Sequence, residues 1–230
     1  MAQDIKGLLF DKDGTLFDFH ATWGSWTAGF IRDMAGFGAD PARLSAAMGF
    51  DLETQSFDPE SAVIAGTPDD TIDAVMAALP ELGRDQVSRH IIESSAAAPL
   101  AEAVPLAPFL DDLLARGLIL GVATNDAEDV AESHLNAAGV RDRFAFVAGY
   151  DSGHGAKPAP GMQRAFLAQS GLAPAQVAMV GDSTHDLISG QRAGMITIGV
   201  LTGTAPRPVL TPHATVVLDD IGQIPAWLTG

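Results

Sequence analysis

Two hundred and thirty residues, 47% of them hydrophobic, suffice to bury one substantial core and leave material for a smaller second one. A net charge of −16 with only 13 Lys plus Arg excludes a nucleic-acid or anionic-membrane surface, since either needs a basic face. The lack of cysteine excludes a disulfide framework, a thiolate nucleophile and a Cys-ligated zinc site.

The chain opens with a short apolar run, Leu8-Leu9-Phe10, that stops abruptly at Asp11-Lys12-Asp13-Gly14-Thr15. It reads as a buried strand delivering carboxylates to a turn at its tip. Residues two apart in extended chain share a side, so Asp11 and Asp13 face one site and Lys12 points away from Asp11, toward packing or solvent. Two carboxylates about 5 Å apart repel by about 3 kcal/mol at an effective dielectric of about 20, which calls for a compensating cation. Taken alone, the stretch is equally an Asp-rich turn capping its own backbone. The strand starts close to Met1 and no apolar run approaches the roughly 18 residues of a membrane span, so the expectation is a cytoplasmic protein with neither signal peptide nor anchor.

Residues 18–100 read as a run of helices with no strand. Trp23, Trp26, Phe30, Met34 and Phe37 recur at spacings of three and four and fall on one helical face. Asp40-Pro41, Asp58-Pro59 and Thr67-Pro68 each set a capping residue before a proline, a helix start signal. Asp70 completes a capping box with Thr67, ahead of the stripe Ile72, Val75, Met76 and Leu79. Residues 84–97 continue the helical pattern.

The Ala- and Pro-rich residues 96–108 read as a linker, and a helix carrying Phe109, Leu110, Leu113 and Leu114 follows, stopping at Gly117. Strands are then expected at 118–124, 144–150, 177–181, 196–201 and 215–218, with helices between the first four. Such alternation predicts a parallel sheet covered by helices on both faces, and the strand at Leu8 has nothing else to pair with. The fold class is therefore α/β: a Rossmann-like parallel sheet core, residues 1–17 and 101–230, with an α-helical cap domain of residues 18–100 inserted after the first strand.

In a parallel sheet the carboxyl ends of the strands share one edge. Asp11 and Asp13 follow the first strand, Thr124-Asn125-Asp126 the second, Tyr150-Asp151 the third, and Asp182-Ser183-Thr184-His185-Asp186 the fourth. Any single tip is explained by helix capping, with Asn125 and Glu128 as one pair and Ser183 and Asp186 as another. Asp11, Asp13, Asp182 and Asp186 together are not, because four carboxylates on one edge destabilise one another without a divalent cation. Lys157, one of three lysines, lies in Gly155-Ala156-Lys157-Pro158-Ala159-Pro160-Gly161, where two prolines would hold its ammonium beside the carboxylates.

Asp11-x-Asp13-Gly14-Thr15, Thr124-Asn125, Lys157-Pro158 and Gly181-Asp182-x-x-x-Asp186 resemble, in order and rough spacing, the four motifs of the haloacid dehalogenase superfamily. Residues 18–100 resemble the small cap of its phosphoglycolate phosphatase-like and β-phosphoglucomutase-like members. The resemblance implies that Asp11 is a nucleophile forming an aspartyl phosphate and that Asp13 is the acid and base. It implies that Thr124 and Asn125 donate to the phosphoryl oxygens and that Lys157 balances their charge. Magnesium (Mg2+) would be held by Asp11, the backbone carbonyl of Asp13 and Asp182, with Asp186 in or just behind that shell. An acid at position 13 favours phosphoryl transfer over dehalogenation, since a halide leaves without a proton.

The chain departs from the pattern at Lys12, commonly an apolar position, and at Asp126, where phosphoglycolate phosphatases often carry a lysine. His20, Trp23, Arg32 and Arg43 are candidates for the cap side of the pocket, although spacing also explains Trp23 as core and solvation the arginines. His154 and His185 flank motif residues, and His185 is expected to orient or brace, not to bind metal. The expected function is a magnesium-dependent phosphatase of a small phosphorylated metabolite, phosphoglycolate-like or a sugar phosphate, acting as a monomer or homodimer under a mobile cap. The alternatives are a phosphomutase of the β-phosphoglucomutase type, a binding protein that kept the fold, and a dehalogenase.

Overall fold

The computed structural model describes residues 4–58, 61, 63–64 and 66–229. Strand β1 (Gly7–Phe10) is buried along its whole length, as an apolar run with parallel neighbours on both sides must be. Its neighbours are β4 (Ile119–Ala123) and β6 (Val177–Gly181), and the six-stranded parallel sheet runs β5-β4-β1-β6-β7-β8, with β5 at Phe146–Ala148, β7 at Ile196–Val200 and β8 at Val216–Leu218. Chain order reverses on either side of β1, which makes its carboxyl end the switch point where such sheets bind ligands. Phe10 registers with both Val122 and Val180, so one step further on Asp11 stands level with the ends of β4 and β6.

Helices α5 (Leu106–Ala115), α6 (Glu128–Ala137), α7 (Gly161–Ser170), α8 (Thr184–Ala193) and the short α9 (Arg207–Leu210) connect these strands, and α10 (Ile224–Thr229) follows the last of them. One apolar cluster, including Phe10, Phe109 and Leu113, covers one face of the sheet, and a second, including Leu9, Met162 and Phe166, covers the other. Between β1 and α5 lie α1 (Phe19–Gly36), α2 (Pro41–Ala47), α3 (Pro68–Ala78) and α4 (Arg84–Ser95), which close around a third cluster of their own containing Phe30, Met34, Leu44 and Val75. Entry and exit of this insert run side by side: Asp18 N–H donates to Ala101 O (2.8 Å) and Ala103 N–H to Leu16 O (2.9 Å).

The expected caps of α2 and α3 are present, Asp40 accepting from Ala42 N–H and Thr67 with Asp70 forming the reciprocal box. Four expectations need correction. The insert contains a two-stranded hairpin, β2 (Phe50–Asp51) with β3 (Ser56–Phe57), too short for alternation to announce it. Phe37 continues the α1 spacing but sits at its C-cap and is 58% exposed. Helix α5 begins inside the stretch read as linker. Asn125 does not cap α6; the N-cap position is Ala127, and the Asp151 carboxylate from the next strand tip accepts Glu128 N–H (2.9 Å). The helix start expected at Asp58-Pro59 falls at Pro59 outside the described residues.

Candidate active site

Asp11, Asp13, Thr124, Asn125, Lys157 and Asp182 line one cleft between the sheet edge and the insert, which encloses about 740 Å³ with its open mouth included. Asp186 lies directly behind it, fully buried. All seven residues singled out from the sequence thus converge.

At the centre is the Lys157 ammonium. It donates to Ala123 O (2.9 Å) and pairs with Asp11 Oδ1 (2.7 Å) and Asp186 Oδ1 (2.6 Å), with almost no solvent exposure. Although burial alone would lower it, Asp11 and Asp186 push its pKa above the ordinary lysine value, so Lys157 is a permanent cation. Its backbone is held by Asn125, whose Oδ1 accepts Lys157 N–H (2.8 Å) and whose Nδ2 donates to Lys157 O (3.1 Å). Asn125 therefore fixes the lysine loop as well as lining the cleft. Asp186 also accepts from Ser183 N–H (3.0 Å) and Ser183 Oγ (2.6 Å) at its other oxygen, closing the α8 capping box. One carboxylate thereby caps a helix and orients the lysine.

Asp11, Asp182 and Asp186 each offer a carboxylate oxygen within 4.8 Å of the others, all buried. Burial, then Asp186, pushes Asp11 up to about 7, and burial, Asp186 and Asp11 hold Asp182 well above the usual carboxylate range. One lysine does not neutralise three buried carboxylates, so this donor set fits a hard divalent cation. The backbone also comes in close around Asp182: a Cβ on Gly14, where φ is +76°, would stand 2.5 Å from its carboxylate, and one on Gly203 would stand 1.7 Å from Oδ2. Only glycine leaves this space open. The Asp13 carboxylate, expected as the fourth of the group needing a shared cation, is not in this cluster, because it is paired with Lys12 instead; the expectation for its backbone carbonyl is separate.

Lys12 overturns the expectation of packing or solvent for a bystander. Its side chain does leave Asp11, as strand alternation requires, but it is 0% exposed and reaches around the turn to Asp13 Oδ2 (2.7 Å). Asp126 Oδ2 lies 3.2 Å away on the other side, at ion-pair distance without hydrogen-bond alignment. Nζ further donates to His134 Nδ1 (2.9 Å) and stands 5.5 Å from the centre of the Trp23 ring. Burial raises the Asp13 carboxyl, but the Lys12 ammonium and hydrogen bonds from Lys12 and Trp23 hold it below its ordinary value. Burial and the nearby ammonium push His134 down to about 4, so its ring is neutral, accepting at Nδ1 and donating from Nε2 to Ser95 O (2.7 Å) at the end of α4. Sequence gave Asp126 only as a departure and gave no sign of His134; an unpaired lysine inside an apolar strand tip was the available signal.

Among the four cap candidates, Trp23 alone lines the cleft. His20 is exposed, Arg32 folds back on Ala28 O, and Arg43 pairs with Glu81 on the surface. His185 lines the cleft and stands outside the carboxylate cluster, while His154 is exposed.

A strand-tip aspartate beside a buried lysine, under a helical insert on a Rossmann-like sheet, defines an α/β protein with a carboxylate–lysine cluster at its switch point. The sequence signature of the haloacid dehalogenase-like hydrolases matches residues 5–194, and the chain belongs to that family. It is 32% identical over 218 residues to a Dickeya dadantii protein named probable phosphatase IndB, covering 94% of this chain and 90% of that one. It is 36% identical over 119 residues to phosphoglycolate phosphatase of Rhodospirillum rubrum, covering 52% of this chain and 49% of that protein's length. The crystal structure of a predicted phosphoglycolate phosphatase from Haemophilus somnus superposes with a TM-score of 0.72 at 21% identity, covering 97% of each chain, which shows the shared fold. No described helix is long and apolar enough to cross a membrane.

Proposed function

We propose that the chain is a magnesium-dependent phosphatase of a small phosphorylated metabolite, working through an aspartyl phosphate on Asp11. The observation that carries this reading is the Asp11–Lys157–Asp186 array at the switch point, with Asp182 beside it. Lys12 N–H (2.7 Å) and Lys157 both bind Asp11 Oδ1, which leaves Oδ2 as the attacking oxygen. As it bonds to phosphorus, the bond from phosphorus to the alcohol oxygen breaks and Asp13, ionised in the free protein, passes to that oxygen the proton it takes up when the monoester binds as its monoanion. Asp13 then takes a proton from water, whose oxygen attacks phosphorus and releases phosphate and the Asp11 carboxylate. Lys157 and Thr124 hold the phosphoryl oxygens, and Asn125 keeps Lys157 in place. Asp11, Asp182 and the Asp13 carbonyl, with Asp186 behind, would hold magnesium, which would supply neutralisation of the phosphoryl charge.

Residues 18–100 act in this reading as a cap that excludes water, and their separate apolar cluster and adjacent crossings support that division. Work in the cytoplasm as a monomer or homodimer belongs to the same reading. The test is phosphate release from a panel of phosphorylated metabolites with magnesium and with a chelator, together with mass analysis of the Asp11 peptide after acid quench. Release that needs magnesium and a phosphorylated Asp11 peptide are expected; release untouched by chelator would sink the reading.

A further inference from the structure

The insert's wall of the cleft is unlike the sheet's. Trp23 and Trp26 meet at 84° with centroids 5.2 Å apart, and Phe30 stacks behind Trp26 at 21°. The Trp26 indole N–H is already bound by Ser94 Oγ (3.0 Å), so its ring is fixed and has no proton to offer a ligand. Val63, Ile64, Pro68 and Ile91 complete the wall. The residues expected to carry the insert's cations are turned elsewhere: none of Arg32, Arg43, Arg84 and Arg89 lines the cleft, and Val63, Ile64 and Gly66, which do, are uncharged. Among the described residues, every acid lining it, Asp11, Asp13, Asp126 and Asp182, comes from outside the insert. Of the insert's three hydroxyls there, Thr67 is engaged with Asp70, Ser95 with Ile92 O, and Thr71 is buried and not free.

We propose, resting on the phosphatase reading above, that the alcohol half of the substrate is uncharged and largely apolar, an aryl-alkyl or branched alkyl phosphate monoester. A second anionic group, such as a carboxylate or another phosphoryl, would be buried here without a counter-charge, and a sugar's hydroxyls would exchange water for carbon. Rigid rings at right angles instead make a corner that an apolar group fills without ordering the protein further. Lys12, the nearest additional cation, is sealed behind Asp13 and Trp23 and does not line the cleft.

The experiment compares kcat/KM for benzyl phosphate, phosphoglycolate, glucose 6-phosphate, pyrophosphate and phosphocholine on the full chain with magnesium. Benzyl alcohol is no better a leaving group than an alkyl alcohol, so a preference for it reports the pocket and not the chemistry. Benzyl phosphate is expected to exceed each of the others by about tenfold or more, the scale on which apolar pockets discriminate. Ile64→Arg, or Val63→Arg should that variant not fold, is expected to lower benzyl phosphate turnover and raise that of phosphoglycolate. Phosphoglycolate, glucose 6-phosphate, pyrophosphate or phosphocholine equalling benzyl phosphate would overturn the inference. Acetyl phosphate, whose small activated donor needs little from the insert, separates the two failures. Hydrolysis of acetyl phosphate without benzyl phosphate would overturn the substrate class alone, whereas release from neither would overturn the phosphatase reading and this inference with it.

Discussion

The two walls of the cleft are built on opposite principles. On the sheet side, charged groups are held against one another by short contacts: Lys157 between Asp11 and Asp186, Lys12 between Asp13 and Asp126. On the insert side, aromatic and aliphatic side chains face the same space and the arginines look outward. On the proposed function, the difference teaches that bond-making and selection are carried by separate parts of the chain. Changes on one wall should alter rate, and changes on the other should alter preference.

The largest effect should come from Asp11→Asn, which removes the proposed nucleophile and is expected to cut kcat by roughly 10⁴-fold or more. Its melting temperature in chelator should hold or rise, because one of three crowded buried carboxylates is gone. Single-turnover phosphate release and a thermal melt check both. Lys12→Leu comes next, since it leaves Asp13 and Asp126 buried without their cation. It should cost about 3 kcal/mol of stability, read by urea unfolding, and adding Asp126→Asn should recover part of that loss.

A smaller effect sharpens the comparison through pH. Asp11 and Asp182 have folded pKa values above their unfolded ones, so the metal-free fold binds extra protons and loses stability as pH rises, for Asp11 from about 4 toward about 7. Magnesium opposes that loss, so the gain in melting temperature on adding it should be greater at pH 8 than at pH 5, and Asp182→Asn should abolish most of it. The smallest effect is expected from Arg32→Ala and Arg43→Ala, each within about twofold of the parent in kcat/KM, since both lie on exposed surface away from the cleft. A large loss on phosphorylated substrates would place a cation on the wrong wall and break the comparison.

The sheet and its strand tips were legible because burial and alternation constrain them twice over. A strand with parallel neighbours must be continuously apolar, so the place where Leu8-Leu9-Phe10 gives way to Asp11 marks its end unambiguously. Asp186 was legible for the same reason, since a capping position and a site position coincide in one residue. Lys12 was not, because alternation fixes where a side chain starts and not where four methylenes carry its charge once the strand has turned at Gly14. His134 was hidden further, being one helix away from every motif. Arg32 and Arg43 were legible in their ordinary sense: solvation was the reading set beside a pocket role, and both are exposed with local partners on the insert's own surface.

The adjacent crossings of the insert bear on how the chain assembles. β1 must find β4 across more than a hundred residues, and the entropy of closing so long a loop rises with its length. Because residues 18 and 101 are joined by a hydrogen bond, an insert that has already collapsed leaves only a short tether between the two strands. The expected order of folding is therefore the helices first and the central strand pair after them. Substitutions in the Phe30–Met34 cluster, none of which touches the sheet, should accordingly slow the appearance of the sheet in refolding kinetics.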